Sequence, residues 1–480
     1  MQSKLVLVII VASLILAAGT LTRGHDWGDD FASYILQAKS VWNGEMDEFV
    51  QKNSFTILES SIQIGPVAYP WGYPLILSPV YAVKGRSPLA LKIPGLLFFS
   101  GFLICLYLLT KNRLPQTDSL LLISLFAFNP MFLVFLDQII SDIPFLFFST
   151  LAMVLLTRAN KYIAIESILL GAAISMAFFI RTTGILLLAS FIIAEAFKLA
   201  IHRKNRELVK GILLNVGLVG GVFVVLWILY AAVFPGGSES YFTLLQEIEL
   251  GSIPSRISSQ FWLLSLFFGG TTLWLYIYYA FFVFFLVGLW VGKGRDSVFI
   301  IFFALWMILL SFWPFWQGPR FIFPLLPLFM YFTFEGVIFA IGRLPQQYHR
   351  LGKMVFYGCC LCIIGIFLGT STSHAYRNMI NGRQINGPYD IYSIAVYEFI
   401  KDKTSEDSVI IFFKPRAMRL MTNHDTVMVT ECERISLGDY LVLSRKAENS
   451  QIPVEQIDSC NLPLDKVFDN RRFIIYEILK

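Results

Sequence analysis

Long apolar runs dominate this chain and constrain its fold more than any other feature. Of its 480 residues, 56% are hydrophobic and only 15% are charged. The runs are roughly 17 to 25 residues long, the length that an α-helix needs to cross a bilayer. A soluble core does not need such runs, so the sequence predicts a polytopic α-helical membrane protein. About eleven spans are predicted, at 4–21, 90–110, 119–136, 143–157, 163–180, 184–198, 210–234, 269–291, 297–316, 321–341 and 354–372.

The charges of the connecting loops predict how the chain is threaded through the membrane. The basic loops are 111–113, 158–161, 203–206, 293–295 and 343–353, and the loops with most of the carboxylates are 22–88, 137–142 and 235–260. Because basic loops stay in the cytoplasm, the first group is predicted to be cytoplasmic and the second extracytoplasmic. The N-terminus is then cytoplasmic, with Met1 to Thr20 as an uncleaved anchor, and an odd span count places the C-terminus outside.

The composition changes near residue 373, which divides the chain into two predicted domains, 1–372 in the membrane and 373–480 outside it. The tail mixes helical and strand patterns, so we expect a small C-terminal α/β extracytoplasmic domain. Helices are expected over 391–400 and 415–421, and strands over 408–413, 427–430, 440–444 and 473–478. A disulfide between Cys432 and Cys460 is possible outside the cell, but the sequence leaves the pairing open.

Several functional classes are disfavoured by the composition and the motifs. The net charge of +5 comes from short basic loops and does not indicate nucleic-acid binding. The sequence has no glycine-rich phosphate loop, which argues against a nucleotide-hydrolysing transporter. It also has no Cys or His spacing typical of a metal site. The remaining cysteines fall in apolar runs as small hydrophobic residues: Cys105, Cys359, Cys360 and Cys362.

Two adjacent carboxylates, Asp29 and Asp30, follow the first span. From Asp30 onward the apolar residues have helical spacing, which predicts a helix lying in the membrane interface. Its apolar face comprises Phe31, Ile35, Ala38 and Trp42, and its polar face comprises Asp30, Tyr34 and Gln37. Asp29 has the position of an N-cap. Asp30 projects from the polar face, where it can serve as a general base or a cation ligand, although an ordinary role at the positive helix end remains the alternative.

The first predicted outer loop, residues 22–88, also contains a segment rich in proline and aromatic residues, from Tyr69 to Pro79. Its three prolines oppose regular helix, and its Trp and Tyr favour the headgroup level. The segment is therefore predicted to form a rigid re-entrant or interfacial turn.

Three more charged residues belong to the same predicted face. Asp142 precedes a span, Arg181 follows the fifth span, and Arg320 opens the tenth. Outer arginines run against the positive-inside rule, and a guanidinium fits the oxygens of a phosphate. A helix cap at Asp142 and structural Arg–carboxylate pairs remain the alternatives. Lys84, Arg86 and Lys92 are candidate headgroup contacts or solvated charges. Glu195 and Glu335 lie deeper, towards the predicted cytoplasmic side, and His25 fits the membrane interface, so these three are given no functional role.

Four segments occur in an order that resembles a known superfamily. They are Asp29-Asp-Phe-Ala-Ser-Tyr34, Tyr69-Pro-Trp-Gly-Tyr-Pro74, Ser141-Asp-Ile-Pro144 and Gly318-Pro-Arg-Phe321. As an ordered set they resemble the membrane-embedded GT-C glycosyltransferases. The similarity is greatest to the bacterial branch related to the dolichyl-phosphate-mannose–protein mannosyltransferases and the lipid A aminoarabinose transferases, and it covers most of residues 1–345.

The resemblance implies a GT-C-like fold in a bacterial plasma (inner) membrane and an enzyme of glycan biosynthesis. The donor would be a polyprenyl-phosphate sugar, transferred with inversion to a hydroxyl or amine of a glycan, lipid or protein. By its spacing to Tyr34, Asp30 corresponds to the catalytic acid, with Asp29 and Asp142 beside it. Arg320 and Arg181 would bind the donor phosphate. Tyr34, Tyr69, Pro70, Trp71 and Tyr73 would line a lipid or acceptor cavity.

No cofactor is certain, but Asp30 and Asp142 are candidates to share a divalent cation. Two other classes compete with the enzyme. A transporter or lipid flippase would have paired broken helices in two similar halves, and the sequence has no such repeat. A noncatalytic scaffold leaves the grouped acids and arginines unexplained, so convergence of Asp30, Asp142 and Arg320 in the fold would favour the enzyme.

Overall fold

The computed structural model describes residues 2–62, 64–159, 164–236, 253–313, 318–446 and 450–479. These residues form a helical membrane part followed by a small sheet domain. The helices are α1 (Gln2–Thr20), α2 (Asp30–Asn43), α3 (Met46–Leu58), α4 (Gly72–Lys84), α5 (Pro88–Thr110), α6 (Gln116–Ala127), α7 (Pro130–Leu136), α8 (Asp142–Ala159), α9 (Ala164–Ile180), α10 (Ile185–Ile201), α11 (Arg206–Val233), α12 (Ile253–Ser265), α13 (Thr272–Gly292), α14 (Ser297–Ser311), α15 (Leu326–Arg343), α16 (Gln346–Asn381), α17 (Ile391–Lys403) and α18 (Pro415–Thr422).

Every predicted span coincides with a helix or a pair of helices. By length and composition, seven described helices can cross a membrane, or eight if the bent pair α6 and α7 is one span. Two more predicted spans correspond to the shorter apolar helices α9 and α14, and another corresponds to α8. Residue 163 of the fifth predicted span, residues 314–316 of the ninth and most of the loop 235–260 lie outside the described residues.

The predicted span at 119–136 corresponds to two helices, because the chain bends by 48° between α6 and α7. The sequence at the bend explains the break. Pro130 is the first residue of α7 and has no N–H with which to continue α6, and the side chain of Asn129 accepts a hydrogen bond from Met131 N at 2.9 Å. This cap starts a new helix in a new direction.

The proline-rich segment of the first outer loop is largely helical, so the predicted turn is wrong from Gly72 onward. Pro74 lies in the first turn of α4, where a helix leaves its N–H groups unpaired and proline is tolerated. Pro79 lies inside α4 and removes one backbone hydrogen bond, which the surrounding packing tolerates. Tyr69 and Pro70 precede the helix and stay irregular.

Helix α2 is buried on both of its sides, contrary to the predicted interfacial helix. Phe31 and Ile35 are buried as expected, but Tyr34 and Gln37 of the polar face are buried as well, and Trp42 is exposed. Helices α3, α4 and α18 all pack against α2. The helix is therefore covered by protein, including part of the C-terminal domain that the local sequence pattern does not reveal.

Two glycines bring α13 and α15 unusually close together. A Cβ on Gly288 would lie 1.8 Å from the carbonyl oxygen of Phe332, and a Cβ on Gly336 would lie 1.9 Å from that of Phe284. Any side chain at either position would force the helices apart. This contact fixes α15, whose N-terminal end follows the segment that carries Arg320.

The C-terminal domain contains a five-stranded sheet with the order β2-β1-β3-β5-β4. Its strands are β1 (Val409–Phe412), β2 (Asp425–Val427), β3 (Tyr440–Ser444), β4 (Leu464–Asp469) and β5 (Phe473–Ile478). Strand β1 is parallel to β2 and β3, and β5 is antiparallel to β3 and β4. The predicted α/β domain is confirmed, although β4, with its mostly exposed side chains, was not predicted.

A disulfide joins Cys432 to Cys460 in this domain, which settles the pairing that the sequence left open. The two cysteines belong to short 3-10 turns at Cys432–Leu437 and Val454–Cys460. The predicted domain boundary at 372/373 falls inside α16, which continues to Asn381, so the division into 1–372 and 373–480 stays a prediction.

The C-terminal domain docks on the first outer loop. Thr56 Oγ1 donates to the carbonyl oxygen of Thr426 at 2.8 Å, and Ser61 N donates to that of Met428 at 2.8 Å. Trp27 packs against three aromatic rings of the domain, those of Phe412, Phe413 and Phe473. The loop thus covers the β2 edge of the sheet, which would otherwise expose unpaired backbone groups.

Candidate active site

Asp30 lies at the centre of a charged cluster formed by distant parts of the chain. It begins α2, and its two carboxylate oxygens have different partners. The hydroxyl of Tyr69 donates to Oδ1 at 2.6 Å, and Nη1 of Arg320 donates to Oδ2 at 3.0 Å. The Asp30 side chain is 27% exposed. A carboxylate held in this way is oriented and still open to an incoming molecule.

The surroundings of Asp30 favour its charged form. Burial by itself raises the pKa of Asp30, but the charge of Arg320 and the hydrogen bonds from Tyr69 and Arg320 outweigh it, and the pKa is lowered below its usual value. Hydrogen bonds to an ionised carboxylate stabilise that form. Asp30 is therefore a carboxylate at neutral pH, as a general base must be.

Asp29 has a different environment from its neighbour. It occupies the N-cap position of α2, but its side chain makes no capping hydrogen bond, so the predicted cap is wrong. Both carboxylate oxygens are buried without a hydrogen-bond partner among the described residues, and Oδ2 lies 3.7 Å from Nε of Arg416. Burial raises the pKa of Asp29. The side chain turns towards the C-terminal domain because Arg416 lies there.

Asp142 and Arg181 form a second ion pair at the same end of the helices. Nη1 of Arg181 donates to Oδ1 of Asp142, and the carboxylate is almost fully buried. The neighbouring Ser141 is joined to α2, because its Oγ lies 2.9 Å from the hydroxyl of Tyr34. The pair is thus tied to the helix that carries Asp30.

A single aromatic ring brings the two arginines together. The guanidinium of Arg181 lies 5.0 Å from the centroid of the Phe321 ring, and that of Arg320 lies 5.7 Å from it. Cations bind the face of an aromatic ring, but two cations on one ring also repel each other unless anions balance them. The segment turns at Gly318, whose φ of 66° favours glycine. The result is a concentration of positive charge beside Asp30.

The predicted cavity residues divide into two groups. The rings of Tyr34 and Tyr69 lie 4.8 Å apart, and those of Tyr34 and Tyr73 lie 5.0 Å apart, so these three tyrosines cluster beside Asp30. Trp71 instead binds the end of α11, donating from Nε1 to the carbonyl oxygen of Pro235 at 3.0 Å. Pro70 lies between the two groups in the chain and is partly buried.

Comparison with known proteins identifies this arrangement of helices. The sequence model of a family described as dolichyl-phosphate-mannose-protein mannosyltransferase matches residues 68–230, about a third of the chain. ArnT from Cupriavidus metallidurans, solved bound to undecaprenyl phosphate, has a TM-score of 0.61 at 12% identity and covers 98% of this chain and 97% of its own. The chain has the GT-C fold. No curated protein sequence matches it.

Archaeal structures share the same GT-C fold over most of the chain. The oligosaccharyltransferase from Archaeoglobus fulgidus, in complex with Zn and sulfate, has a TM-score of 0.63 at 12% identity and covers 91% of this chain and 68% of its own. The oligosaccharyltransferase AglB from Archaeoglobus fulgidus, in complex with an inhibitory peptide and a dolichol-phosphate, has a TM-score of 0.57 at 12% identity and covers 92% of this chain and 69% of its own. At such low identity these likenesses show the fold alone.

The site residues do not fit a divalent cation in this arrangement. The carboxylates of Asp30 and Asp142, the two candidate ligands, are each paired with an arginine. Among the described residues there is no group of three His, Cys, Asp or Glu side chains that could hold a metal ion. A cation held by both carboxylates would have to displace both guanidiniums.

A buried charge cluster fixes residues 21–29, the connector between α1 and α2. The sequence did not predict this cluster. Nζ of Lys92 pairs with Oδ1 of Asp137 at 2.6 Å and donates to the carbonyl oxygens of Thr22 and Gly24 at 3.0 and 2.7 Å. Its side chain is 0% exposed. Lys92 is therefore no headgroup contact, and it ties the connector before α2 to the loop that ends at Asp142.

Other sequence-based assignments are corrected by their contacts. His25 is buried, and its Nε2 lies 3.0 Å from Ile139 N, a position that also ties the connector to the 137–142 loop. Arg86 donates to the carbonyl oxygen of Leu420 at 2.6 Å, at the end of α18, and so contacts the C-terminal domain. Arg416, which contacts Asp29, was missed because its partners lie more than 300 residues earlier in the chain.

Proposed function

We propose that this protein is an inverting glycosyltransferase that moves a sugar from a polyprenyl phosphate to a hydroxyl or amine of a lipid, glycan or protein. The reaction would take place at the extracytoplasmic face of the membrane. The GT-C fold and the undecaprenyl phosphate bound to the similar ArnT structure support this donor class. The acidic outer loops and the disulfide of the C-terminal domain support the extracytoplasmic side.

One observation carries the proposal: an ionised, partly exposed carboxylate lies beside two arginines that share one aromatic ring. Asp30 contacts Arg320, which lies over the Phe321 ring together with Arg181. A lipid phosphate is a good leaving group and needs little protonation. One base and one phosphate clamp therefore suffice, whereas a glycosidase needs two carboxyl groups.

The reaction follows from these positions. Asp30 takes the proton from the acceptor hydroxyl, and the acceptor oxygen forms a bond to the anomeric carbon of the sugar. The bond from that carbon to the phosphate oxygen breaks, and the phosphate leaves with the electron pair. Arg320 and Arg181 stabilise the charge that develops on the leaving phosphate. A single displacement of this kind inverts the anomeric centre.

The ion pairs of the free protein fit this role, because they keep the arginines in place until the donor arrives. Asp30 and Asp142 supply the anions that balance Arg320 and Arg181 in the structure. A phosphate monoanion or diester brings the same kind of charge, so binding would exchange a carboxylate partner for a phosphate partner. Asp30 would then be released from Arg320 and become a stronger base.

Deletion of the gene tests the function, with mass analysis of surface glycans and lipid-linked sugars. The proposal predicts that a polyprenyl-phosphate sugar accumulates and that one glycan, lipid or protein loses that sugar. Both changes must be reversed by the wild-type gene. If the lipid-linked pool and the glycans are identical in the two strains, the protein is not this transferase.

Asp30→Asn tests the base. We expect turnover to fall by roughly 10²–10⁴-fold, the contribution of a general base, in protein that still folds. The measurement is transfer by purified protein from the accumulated lipid-linked sugar to the identified acceptor. Asp29→Asn, the same change one residue earlier, is the matched control and should cost much less. The opposite ranking would assign the base to Asp29.

A further inference from the structure

The C-terminal domain reaches into the candidate active site with one side chain. Arg416 lies in the first turn of α18 and is fully buried. Burying a guanidinium is costly unless its charge and its donors are matched. Its contacts therefore indicate what it does.

Arg416 is surrounded by the segments that hold Asp30. Its Nη2 donates to the carbonyl oxygen of Pro66 at 2.5 Å, and its guanidinium lies 5.6 Å from the centroid of the Tyr69 ring. Its Nε is 3.7 Å from Oδ2 of Asp29. All three partners belong to the first outer loop, and Tyr69 is the residue whose hydroxyl donates to Asp30.

The unmatched donors of this guanidinium do not by themselves assign it a role. Nε and Nη1 of Arg416 are buried with no partner within hydrogen-bond distance among the described residues, and the same is true of Nε and Nη1 of Arg419 on the same helix. Arg416 differs from Arg419 in its neighbours, because its charge interacts with Tyr69 and Asp30. This position points to an electrostatic role.

We infer that Arg416 is a positioning residue of the active site, which holds Tyr69 against Asp30 and keeps a positive charge on the side of Asp30 that faces the C-terminal domain. The inference rests on the proposed function, in which Asp30 is the base. The C-terminal domain is then a part of the catalytic unit, because α18 supplies one of the charged side chains around Asp30.

The electrostatics of the cluster support this role. The groups around Asp30 come from four parts of the chain. They are Asp29 and Tyr34 at and in α2, Tyr69 just before α4, Arg320 together with the nearby Asp142–Arg181 pair, and Arg416 of α18. Arg416 lowers the pKa of Asp30 through its charge. Burial raises the pKa of Asp29, and the charge of Arg416 acts against that rise.

The test is the pH–rate profile of Arg416→Met in the full chain. The substrate is the lipid-linked sugar accumulated in the deletion strain. We expect kcat at pH 7 to fall about 10- to 100-fold through misplacement of the base, with KM nearly unchanged. The acid limb of the pH–rate profile, where activity is lost as Asp30 becomes protonated, should move to higher pH. The affinity for undecaprenyl phosphate, measured separately, should not change. Arg419→Met is the matched control, because Arg419 is also buried on α18 but pairs with Asp425 of its own domain at 3.2 Å.

Two outcomes overturn the inference while leaving Asp30 as the base. One is a lower rate with an unmoved acid limb, which indicates a structural role. The other is weaker binding of undecaprenyl phosphate, which makes Arg416 a phosphate ligand. Arg416→Gln keeps a donor for Pro66 without the charge, so it gives the same test if Arg416→Met does not fold. Arg416→Lys should restore the acid limb. If Asp30→Asn is itself active, the proposed function fails, whatever Arg416 does.

Discussion

Two clusters of charged residues lie at opposite predicted faces of the membrane part, and they differ in how accessible their carboxylates are. The outer cluster consists of Asp30, Tyr69, Arg320 and the Asp142–Arg181 pair. The inner cluster consists of Arg113, Asp296, Arg295, Tyr331 and Glu335. Both use arginine, carboxylate and tyrosine, so their composition alone does not separate a working site from a structural one.

The inner cluster is closed. Asp296 is fully buried, and its Oδ2 accepts from Arg295 Nε at 2.9 Å and from the hydroxyl of Tyr331 at 2.8 Å, while Oδ1 accepts from Arg113. Arg295 also pairs with Glu335 at 2.8 Å. Every carboxylate here is engaged by groups that fix the helix ends, which is the pattern of a structural network.

The outer cluster is open at the carboxylate of Asp30. Asp30 is 27% exposed, whereas Asp296 is fully buried and Glu335 is 11% exposed. The arginines do not separate the two clusters, because Arg295 is 50% exposed and Arg320 is 23% exposed. Access to the carboxylate, and not charge density, therefore distinguishes the candidate site.

After Asp30→Asn, the largest effect should come from a substitution of Arg320 in the outer cluster. Arg320→Met removes the proposed phosphate donor, and we expect kcat to fall about 10²–10³-fold, as for the loss of one charge-stabilising donor. The midpoint of thermal unfolding in detergent should change little, because the site is partly solvated. Near-normal turnover would show that Arg320 is only the structural partner of Asp30.

The corresponding substitution in the inner cluster should affect stability and not turnover. Arg113→Met leaves Asp296 with one cationic partner fewer, and we expect a loss of about 3 kcal/mol, the low end for a broken buried pair, because Arg295 remains. Thermal unfolding measures the loss, while turnover per folded molecule should stay near that of the wild type. A specific fall in kcat at unchanged stability would contradict the structural role of the inner cluster.

The smallest effect should be a shift in pH dependence. Because the pKa of Asp30 is lowered, the base stays ionised above that lowered pKa, and activity is retained until the pH falls through it. Tyr69→Phe removes the 2.6 Å hydrogen bond to Oδ1. The acid limb of kcat/KM should then move upward by about one pH unit, the effect of one hydrogen bond to a charged group. A downward shift would show that Tyr69 does not stabilise the ionised form.

Much of the membrane part could be predicted from the sequence, because apolar length and loop charge are local signals. Each predicted span coincides with helix, and Asp30, Arg320, Asp142 and Arg181 do converge. The bend at Asn129 could also be predicted from the sequence, since Asn129 followed by Pro130 is a helix-start signal. It was missed because the apolar run continues across the break.

The remaining site could not be predicted, because it depends on contacts between distant segments. Asp29 has the sequence of a cap, but the side chain turns to Arg416, and no local pattern records that partner. Lys92 looks like an interfacial lysine and is instead paired with Asp137 inside the protein. Burial of a charge is decided by what packs over it, and that is tertiary information.

The docking of the first outer loop on the sheet domain links two segments that helices α5 to α16 separate in the sequence. The hydrogen bonds from Thr56 to Thr426 and from Ser61 to Met428 end on backbone carbonyl oxygens, so they depend on the position of the backbone around β2. The approach of Arg416 to Asp29 depends on two side chains. The loop and the tail therefore dock as one unit, and a change at Arg416 in the tail reaches Asp29 and Tyr69 in the loop.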